Sequence, residues 1–581
     1  MKKIKNEISG VKNTWFLLKQ THIKKSVYIE IVLIYIVSAV SAVFTAMFNA
    51  KIIERITAAN FDNFVLLVLG LGISVAIKMI FQNFQKIFNV KFQNMMIKEI
   101  NNSNYKRVLS LQISNFNSRS SEEFQNRIYS ADRISSVITN SLANLYETVN
   151  YLSYTLVILF YCPILSLIYI FYSVLSVIYR KILTPYINNL YNKNWKDHGI
   201  SMNSLSREAI IGIKDIKSLN MVDQIMKEYD IKQEKYYNEQ TKINTFSAKT
   251  NFIMSTFALI RDVCVPLLGY YLYLKNIITI PDFILFISYK SNISALFTNI
   301  ADFISNLSDV EANAIRGVQL YNDELFESEN FGNISSNNLL GNITFKNLNF
   351  SYGNNDILFK NLTLTIDANK INAIVGRSGE GKTTILSLIN KFYSVDNGKI
   401  FIDDVDINLY DEKTIRKNIA YIQQSPYIFN MTFRENLLLV KPDATEEELI
   451  DVCKKSEIYE FITSSKDGFD TLVGENGVTI SGGQKQRFAI ARALLNNANI
   501  IMFDESTSSL DNESQNKIQN VIEKLSNDQT IIIVAHRLST IKNAHKIIFI
   551  EDHEVKAIGN HSYLMENCDD YKKLYKIEEI D

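Results

Sequence analysis

The chain reads as two architectures in series. An all-α six-helix transmembrane domain with long cytoplasmic helical extensions comes first, and an α/β domain built around a phosphate loop follows. Three observations predict this. The first half of the 581 residues is dominated by apolar runs of about twenty residues, the length that crosses a bilayer. The second half holds GRSGEGKT at residues 376–383, directly after a mostly apolar run at 371–375. Further on, IIMFDES at residues 500–506 drives an apolar run into two adjacent acids, Asp504 and Glu505.

The acidic strand organises the rest. A short apolar run ending in an acid reads as a buried strand delivering its carboxylate to a site at the sheet's edge. Two adjacent acids there are costly unless a cation and phosphates give them partners. The phosphate cradle is present. GRSGEGKT fits G-x-x-x-x-G-K-[ST] without exception, and it stands in the required strand–loop–helix context. The glycines let backbone N–H groups turn inward, Lys382 reaches terminal phosphates, and the Thr383 hydroxyl suits magnesium. A chance glycine turn would lack the downstream acidic strand.

Composition sets outer limits. Lys+Arg and Asp+Glu both number 61, so net charge gives no support for a nucleic-acid partner. The 4 Cys (Cys162, Cys264, Cys453 and Cys568) are widely scattered, which argues against a disulfide framework or a zinc site.

Residues 1–25 are basic and carry Trp15, Phe16, Leu17 and Leu18, the pattern of an amphipathic segment lying at the membrane surface on the cytoplasmic side. A transmembrane domain is expected over residues 26–316, with spans near 27–48, 62–85, 145–161, 164–183, 250–274 and 283–305. Cys162–Pro163 separates the third and fourth spans as a tight outer turn. The segments 86–107 and 180–196 are rich in Lys and Arg, as is the N-terminus. Positive-inside then places the N-terminus, both long loops and the C-terminal half in the cytoplasm. Both long loops are polar and helix-permissive, with no core pattern of their own, so they read as the helices continuing out of the membrane. The short stretch before the first span is too small for a fused peptidase.

Charged residues fall within the apolar runs. Glu30, Lys78 and Asp302 lie near helix ends, where reaching for the interface is the simple reading. Arg261 and Asp262 sit deeper, with Lys290 on the returning span as a possible partner for Asp262. Adjacent residues point to different helix faces, and two readings stand open, an ion pair between helices or a polar contact to cargo.

An Asn/Ser/Gly-rich stretch marks a linker over residues 317–341, and the second domain follows over 342–581. ITFKNLNFSY alternates as a strand should and brings Tyr352 close to the phosphate loop, suited either to stacking on a purine or to covering the sheet edge. YIQQSPYIF places Gln423 and Gln424 after another strand. Ser481, Gly482, Gly483 and Gln484 form a turn opening an amphipathic helix, a second anion site. One chain cannot easily bring both anion sites to one nucleotide, so two copies facing head to tail, each completing the other's site, is the economical arrangement. His536 stands at the end of a further apolar strand.

With these motifs in hand, the second half resembles the ATP-binding cassette (ABC) nucleotide-binding domain, an α/β P-loop fold. The whole chain is similar to an ABC exporter half-transporter. The resemblance implies ATP and magnesium as cofactors and assigns roles by motif. Tyr352 becomes the adenine-stacking aromatic. Gly376, Arg377, Ser378, Gly379, Glu380, Gly381, Lys382 and Thr383 become the Walker A loop, with Thr384 following. Gln424 becomes the Q-loop glutamine, Ser481 to Gln484 the signature, and Asp504 the Walker B acid, with Thr383, Gln424 and Asp504 around magnesium. Glu505 becomes the catalytic base, Asp511 part of the D-loop and His536 the switch histidine. EAIIGIKDIKSL at 208–219 resembles the family's stretch in the second cytoplasmic loop. Ile480, Ser506 and Ser509 depart mildly from the family pattern, and none removes a catalytic group.

The implied partners are a second half-transporter (a homodimer favoured over a heterodimer), the bilayer of a bacterial cell, and a hydrophobic or amphipathic drug, lipid or peptide, with Arg261 and Asp262 as substrate candidates. A soluble ABC ATPase of the DNA-repair type conflicts with the six apolar spans. A sensor or gated channel on the same fold is the other rival, and Glu505 and His536 favour a turnover machine over it.

Overall fold

The structure, a computed structural model, describes residues 25–353, 357–474, 477–478, 480–504, 512–534 and 542–578. Glu505, Ser506, Ser509, Asp511, His536 and the expected interfacial segment lie outside these residues. The chain divides into two compact units, Met1–Leu109 with Ser121–Leu325, and Ser110–Ser120 with Phe326–Asp581. Residues 110–120 therefore group with the second unit, although the sequence places them inside the membrane half.

Among the described residues, the first unit is built from six long helices, α1 (Lys25–Thr57), α2 (Phe64–Leu109), α3 (Ser130–Tyr161), α4 (Pro163–Asn194), α5 (Val222–Leu274) and α6 (Ile280–Gln319). Among the described residues, four helical stretches (Ile29–Thr57, Phe64–Leu109, Pro163–Ile211 and Val222–Leu274) are long and apolar enough to cross a membrane. The extensions are real helix. The 46 residues of α2 make a rod of about 69 Å at 1.5 Å per residue, more than twice a hydrocarbon core of about 30 Å. Local chemistry fixes the ends. Pro163 opens α4 directly after Cys162, at a position where its missing N–H costs no helical bond. A reciprocal Thr279–Asp282 capping box, with Pro281 in the first turn, starts α6.

Packing within this unit revises two readings of the charged residues. Lys78 is no simple interface residue, because its ammonium donates to the Tyr154 hydroxyl on α3 at 2.9 Å and lies 4.9 Å from that ring's centroid. Tyr154 stacks at 5.2 Å on Tyr289 of α6, and Tyr289 accepts from Asn49 of α1. One cation is thus tied to aromatic groups on two other helices. Nor do Arg261 and Asp262 act on separate faces. Their side chains pair at 3.0 Å, since an Arg stem is long enough to swing across the turn between adjacent positions. Lys290 donates to the backbone carbonyl of Asp262 at 3.4 Å rather than to its carboxylate.

The second unit is a layered α/β domain. A six-stranded sheet combines β3 (Ile371–Val375), β6 (Ile419–Ile422), β9 (Ile500–Asp504), β10 (Thr530–Val534), β11 (Lys546–Glu551) and β12 (Glu554–Gly559), in the order β12-β11-β3-β10-β9-β6. All pairings are parallel except the β11–β12 hairpin. A smaller antiparallel sheet pairs β1 (Ile343–Ser351) with β2 (Ile357–Ile366) and β4 (Ile400–Ile402), and β4 with β5 (Val405–Asp406), while β7 (Met431–Thr432) and β8 (Leu472–Val473) form a short pair. Residues of β3, β9 and β10 are buried throughout, as the middle of a parallel sheet covered on both faces requires. One face carries Phe433, Leu449, Ile462 and Phe488 from surrounding helices. The other packs Ile374, Ile385, Met502 and Ile532 against the antiparallel sheet. Because β3, β10 and β9 are parallel neighbours, their C-terminal ends share one edge.

Candidate functional site

That edge is where the chemistry gathers. Behind β3 the chain turns through Gly379 and Gly381 at φ of 91° and 89°, in the left-handed region open to glycine. A Cβ on Gly376 would fall 2.3 Å from the Ile550 carbonyl oxygen, so the loop's entry also requires glycine. The helix α7 (Lys382–Ile389) starts immediately, pointing its N-terminal end at the loop. Lys382 is 4% exposed, and its ammonium donates to the carbonyl oxygens of Gly376 and Arg377, both at 2.7 Å. Arg377, Ser378 and Gly379 are exposed around this cradle.

Glu380 is an acid inside an anion cradle, and the fold turns it aside. Its carboxylate accepts the His553 backbone N–H at 2.8 Å, on the β11–β12 turn where Asp552 and His553 both have positive φ. The loop is thereby fastened to a neighbouring hairpin.

Thr383 faces the acid at the end of β9. Its hydroxyl donates to Asp504 Oδ1 at 2.8 Å, while the Tyr421 hydroxyl donates to Asp504 Oδ2 at 2.7 Å. Asp504 is 8% exposed, and among the described residues no Lys or Arg pairs with it. Tyr421 is a site residue that motif reading missed. It stands on β6 opposite Met502 of β9, two positions before Asp504 and on the same face of the sheet. The signal was present in YIQQ, but it needed the strand order to be used.

Tyr352 shares a 2.6 Å hydrogen bond with the Thr384 hydroxyl. Burial pushes its phenol above the ordinary value. Phe350 and Tyr393 approach its ring edge-on, each with centroids at 5.1 Å, and 38% of the residue stays exposed. Tyr393 in turn accepts from Asn117 at 2.7 Å.

The turn at Ser481 begins α8 (Gly482–Leu495). Ser481 and Gln484 form a reciprocal capping box: the Ser481 hydroxyl accepts the Gln484 N–H at 3.3 Å, and the Gln484 side chain accepts the Ser481 N–H at 2.9 Å. Ser481 and Gly482 are exposed, whereas Gly483 is buried. From the same helix, Gln486 donates to the backbone carbonyl of Gln424 at 3.3 Å, holding the end of β6. Gln424 itself is exposed.

In the first unit Arg261 and Asp262 converge on Tyr169. The Tyr169 hydroxyl donates to Asp262 Oδ1 at 2.7 Å, the Arg261 guanidinium lies 4.3 Å from the Tyr169 ring centroid, and it also donates to the Ser294 hydroxyl.

Comparison with known families matches both halves. Residues 28–297 match the ABC transporter transmembrane region, and residues 359–508 match the ABC transporter family. The chain belongs to the ABC transporter superfamily, exporter type. The exotoxin translocation ATP-binding protein PaxB of Pasteurella aerogenes is 27% identical to this exporter over 568 residues, 96% of the chain and 78% of the relative. YgaD of Bacillus subtilis, an ATP-binding/permease protein named for multidrug export, is 32% identical over 374 residues, 64% of the chain and 64% of that relative's length. A bacterial Atm1-family ABC exporter solved with ATP bound shares the fold, with a TM-score of 0.81 and 21% identity over 96% of this chain and 98% of that one. ATP binding and a helical membrane region are therefore properties of this exporter as a class.

Proposed function

We propose that the exporter works as one half of a dimer, most simply a homodimer, in which two cassettes face head to tail and close on two ATP molecules. The observation that carries this is the Lys382–Thr383–Asp504 constellation at a shared strand edge, in a chain fused to an exporter membrane region. The exposed Ser481 and Gly482 of the partner cassette are the groups suited to complete each site with a second anion-binding turn. Closure and reopening of the cassettes then drive the six long helices between inward- and outward-facing states. The stretch at 208–219, with Ile210 and Ile211 strongly exposed, is suited to carry that motion.

Magnesium fits the residues present. Among the described residues, the hydrogen bonds to the buried Asp504 carboxylate come from two hydroxyls, and such an acid is stable beside a divalent cation. Thr383 and Asp504 would hold the ion, with Gln424 reaching it on closure, and its chemistry there is charge neutralisation at the phosphates. Lys382 binds the terminal phosphates, Tyr352 offers its exposed ring to the adenine, and Thr384 stands at the phosphate side of that tyrosine. Glu505 acts as the base toward water, with Asp511 and His536 completing the site. The basic loops support a cytoplasmic placement of both cassettes, in a bacterial cell membrane.

The test is Glu505→Gln. The amide keeps the shape but cannot take a proton from water, so turnover falls by at least about a hundredfold while ATP stays bound. Hydrolysis and retained nucleotide are measured on one purified sample. Near-normal hydrolysis would sink the assignment, and lost hydrolysis without retained ATP would make Glu505 a binding or folding residue instead.

A further inference from the structure

A cavity of about 570 Å³ lies among α4, α5 and α6 in the first unit. Its volume falls in the range of small-molecule sites, and its composition follows the usual rule of an apolar wall with a few placed polar groups. Ile182 and Phe257 are representative of the apolar wall, Tyr179 and Ser294 of the hydroxyl groups. Two cations line it, Arg180 and Arg261, and among the described residues no carboxylate does. Asp262, which neutralises Arg261, is not among the lining residues.

The two arginines differ in kind. Arg261 is fixed by Asp262, Ser294 and the Tyr169 ring, and its side chain is 12% exposed. It is a preset donor whose charge is already balanced. Arg180 makes no ion pair or hydrogen bond among the described residues, so it carries the cavity's uncompensated charge. Depth along the helices is consistent. At 1.5 Å per residue, Arg180 lies about 26 Å from the start of α4 and Arg261 about 20 Å from the end of α5. Both therefore approach the far boundary of a hydrocarbon core of about 30 Å, with Arg180 nearer the headgroup level. Arg180, exposed at that level, stands where the acidic head of an amphiphile would lie while its apolar body reaches inward.

We propose that this cavity binds a singly charged anionic amphiphile, its acidic head against Arg180 and Arg261 and its apolar body along Phe257 and Ile182. The inference rests on the exporter reading and names the chemical class of its cargo. A cationic amphiphile would meet two arginines and no acid. The anion has two sources with one chemistry, a phospholipid headgroup of the adjoining leaflet or a free carboxylate.

The test uses the full-length exporter in nanodiscs, with dodecanoate as the anionic probe and dodecyltrimethylammonium as its cationic match. Thermal unfolding and ATP hydrolysis are both followed. In phosphatidylcholine discs dodecanoate should raise the melting temperature and stimulate hydrolysis, and the cation should do neither. If phosphatidylglycerol discs produce the same stabilisation and abolish the dodecanoate increment, the source is the lipid; if the increment persists, it is the free acid. Arg180→Gln should raise the half-saturating concentration by about tenfold, the loss of one hydrogen-bonded charge contact, and Arg180→Lys should recover most of it. Equal responses to both probes, or no response in a protein that hydrolyses ATP, overturn the cavity proposal alone. Stabilisation by the anion in a protein without any hydrolysis overturns the exporter reading alone.

Discussion

Tyr421→Phe tests one bond of the proposed nucleotide site. The variant removes a hydroxyl and leaves the ring, which packs edge-on to Phe392 with centroids 5.7 Å apart. What goes is the 2.7 Å bond to Asp504 Oδ2. Hydrogen bonds to charged groups contribute about 1.5–3 kcal/mol, and Asp504 is too buried, at 8% exposure, for water to replace the phenol freely. The bond holds the carboxylate plane so that Oδ1 meets Thr383, and these two residues would hold a divalent cation at the phosphates. Loss of that orientation should weaken magnesium-dependent ATP binding by a factor of about 10 to 150, at tenfold per 1.4 kcal/mol. Binding without magnesium should change little, since the phosphate loop and Lys382 are untouched. A fluorescent-nucleotide titration of the purified exporter, with magnesium and with chelator, reads both numbers. Equal weakening in the two conditions would mean that Tyr421 acts through the stability of β6. No weakening in either would mean that the bond contributes nothing to cation binding.

Two further outcomes are expected. Lys382→Ala should lower ATP affinity by at least about tenfold while the protein still fractionates with membranes; nucleotide binding and cell fractionation check this, and unchanged affinity would remove the phosphate-loop assignment. Burial pushes the Lys391 ammonium down to about 8 from its ordinary 10.5. The unfolded chain therefore holds this proton more tightly than the folded one, and the group's contribution to stability rises with pH between about 8 and 10.5. Lys391→Met should raise stability below that window and flatten the slope within it, in denaturation midpoints compared across the window. A slope unchanged in the variant would mean that other groups set it.

What could be read from the sequence was what is local in the chain. The phosphate loop is legible because its eight residues make their own cradle, with φ values only glycine accepts easily. The helical extensions are legible because polar, helix-permissive runs leave no other use for so many residues. The Tyr421–Asp504 bond is not legible, because it joins residues far apart in sequence and depends on β6 lying beside β9. Lys78 was misread for the same reason. A one-dimensional pattern gives its depth in a span but not that Tyr154 of another helix waits beside it. For Arg261 and Asp262 the error was geometric. The angle between adjacent Cβ vectors on a helix says little about where a long guanidinium ends, and Tyr169 on a neighbouring helix draws both side chains to one point.

The two charged groups of the proposed nucleotide site are in opposite electrostatic condition, and that asymmetry sets the chemistry expected of binding. Lys382 is already hydrogen-bonded, with two carbonyls of its own loop at 2.7 Å. A triphosphate must displace or share those bonds, so the ammonium's net gain on binding is smaller than its charge suggests. Asp504 has no such internal partner of opposite charge among the described residues. Two hydroxyls hold it in place without neutralising it, and burial makes the remaining imbalance expensive. The larger electrostatic gain on assembling the site therefore lies at the acid and its cation. On this reasoning magnesium dependence should be steeper than the dependence on Lys382, and the Thr383–Asp504–Tyr421 chain, more than the lysine, should decide how firmly ATP is held before the second cassette arrives.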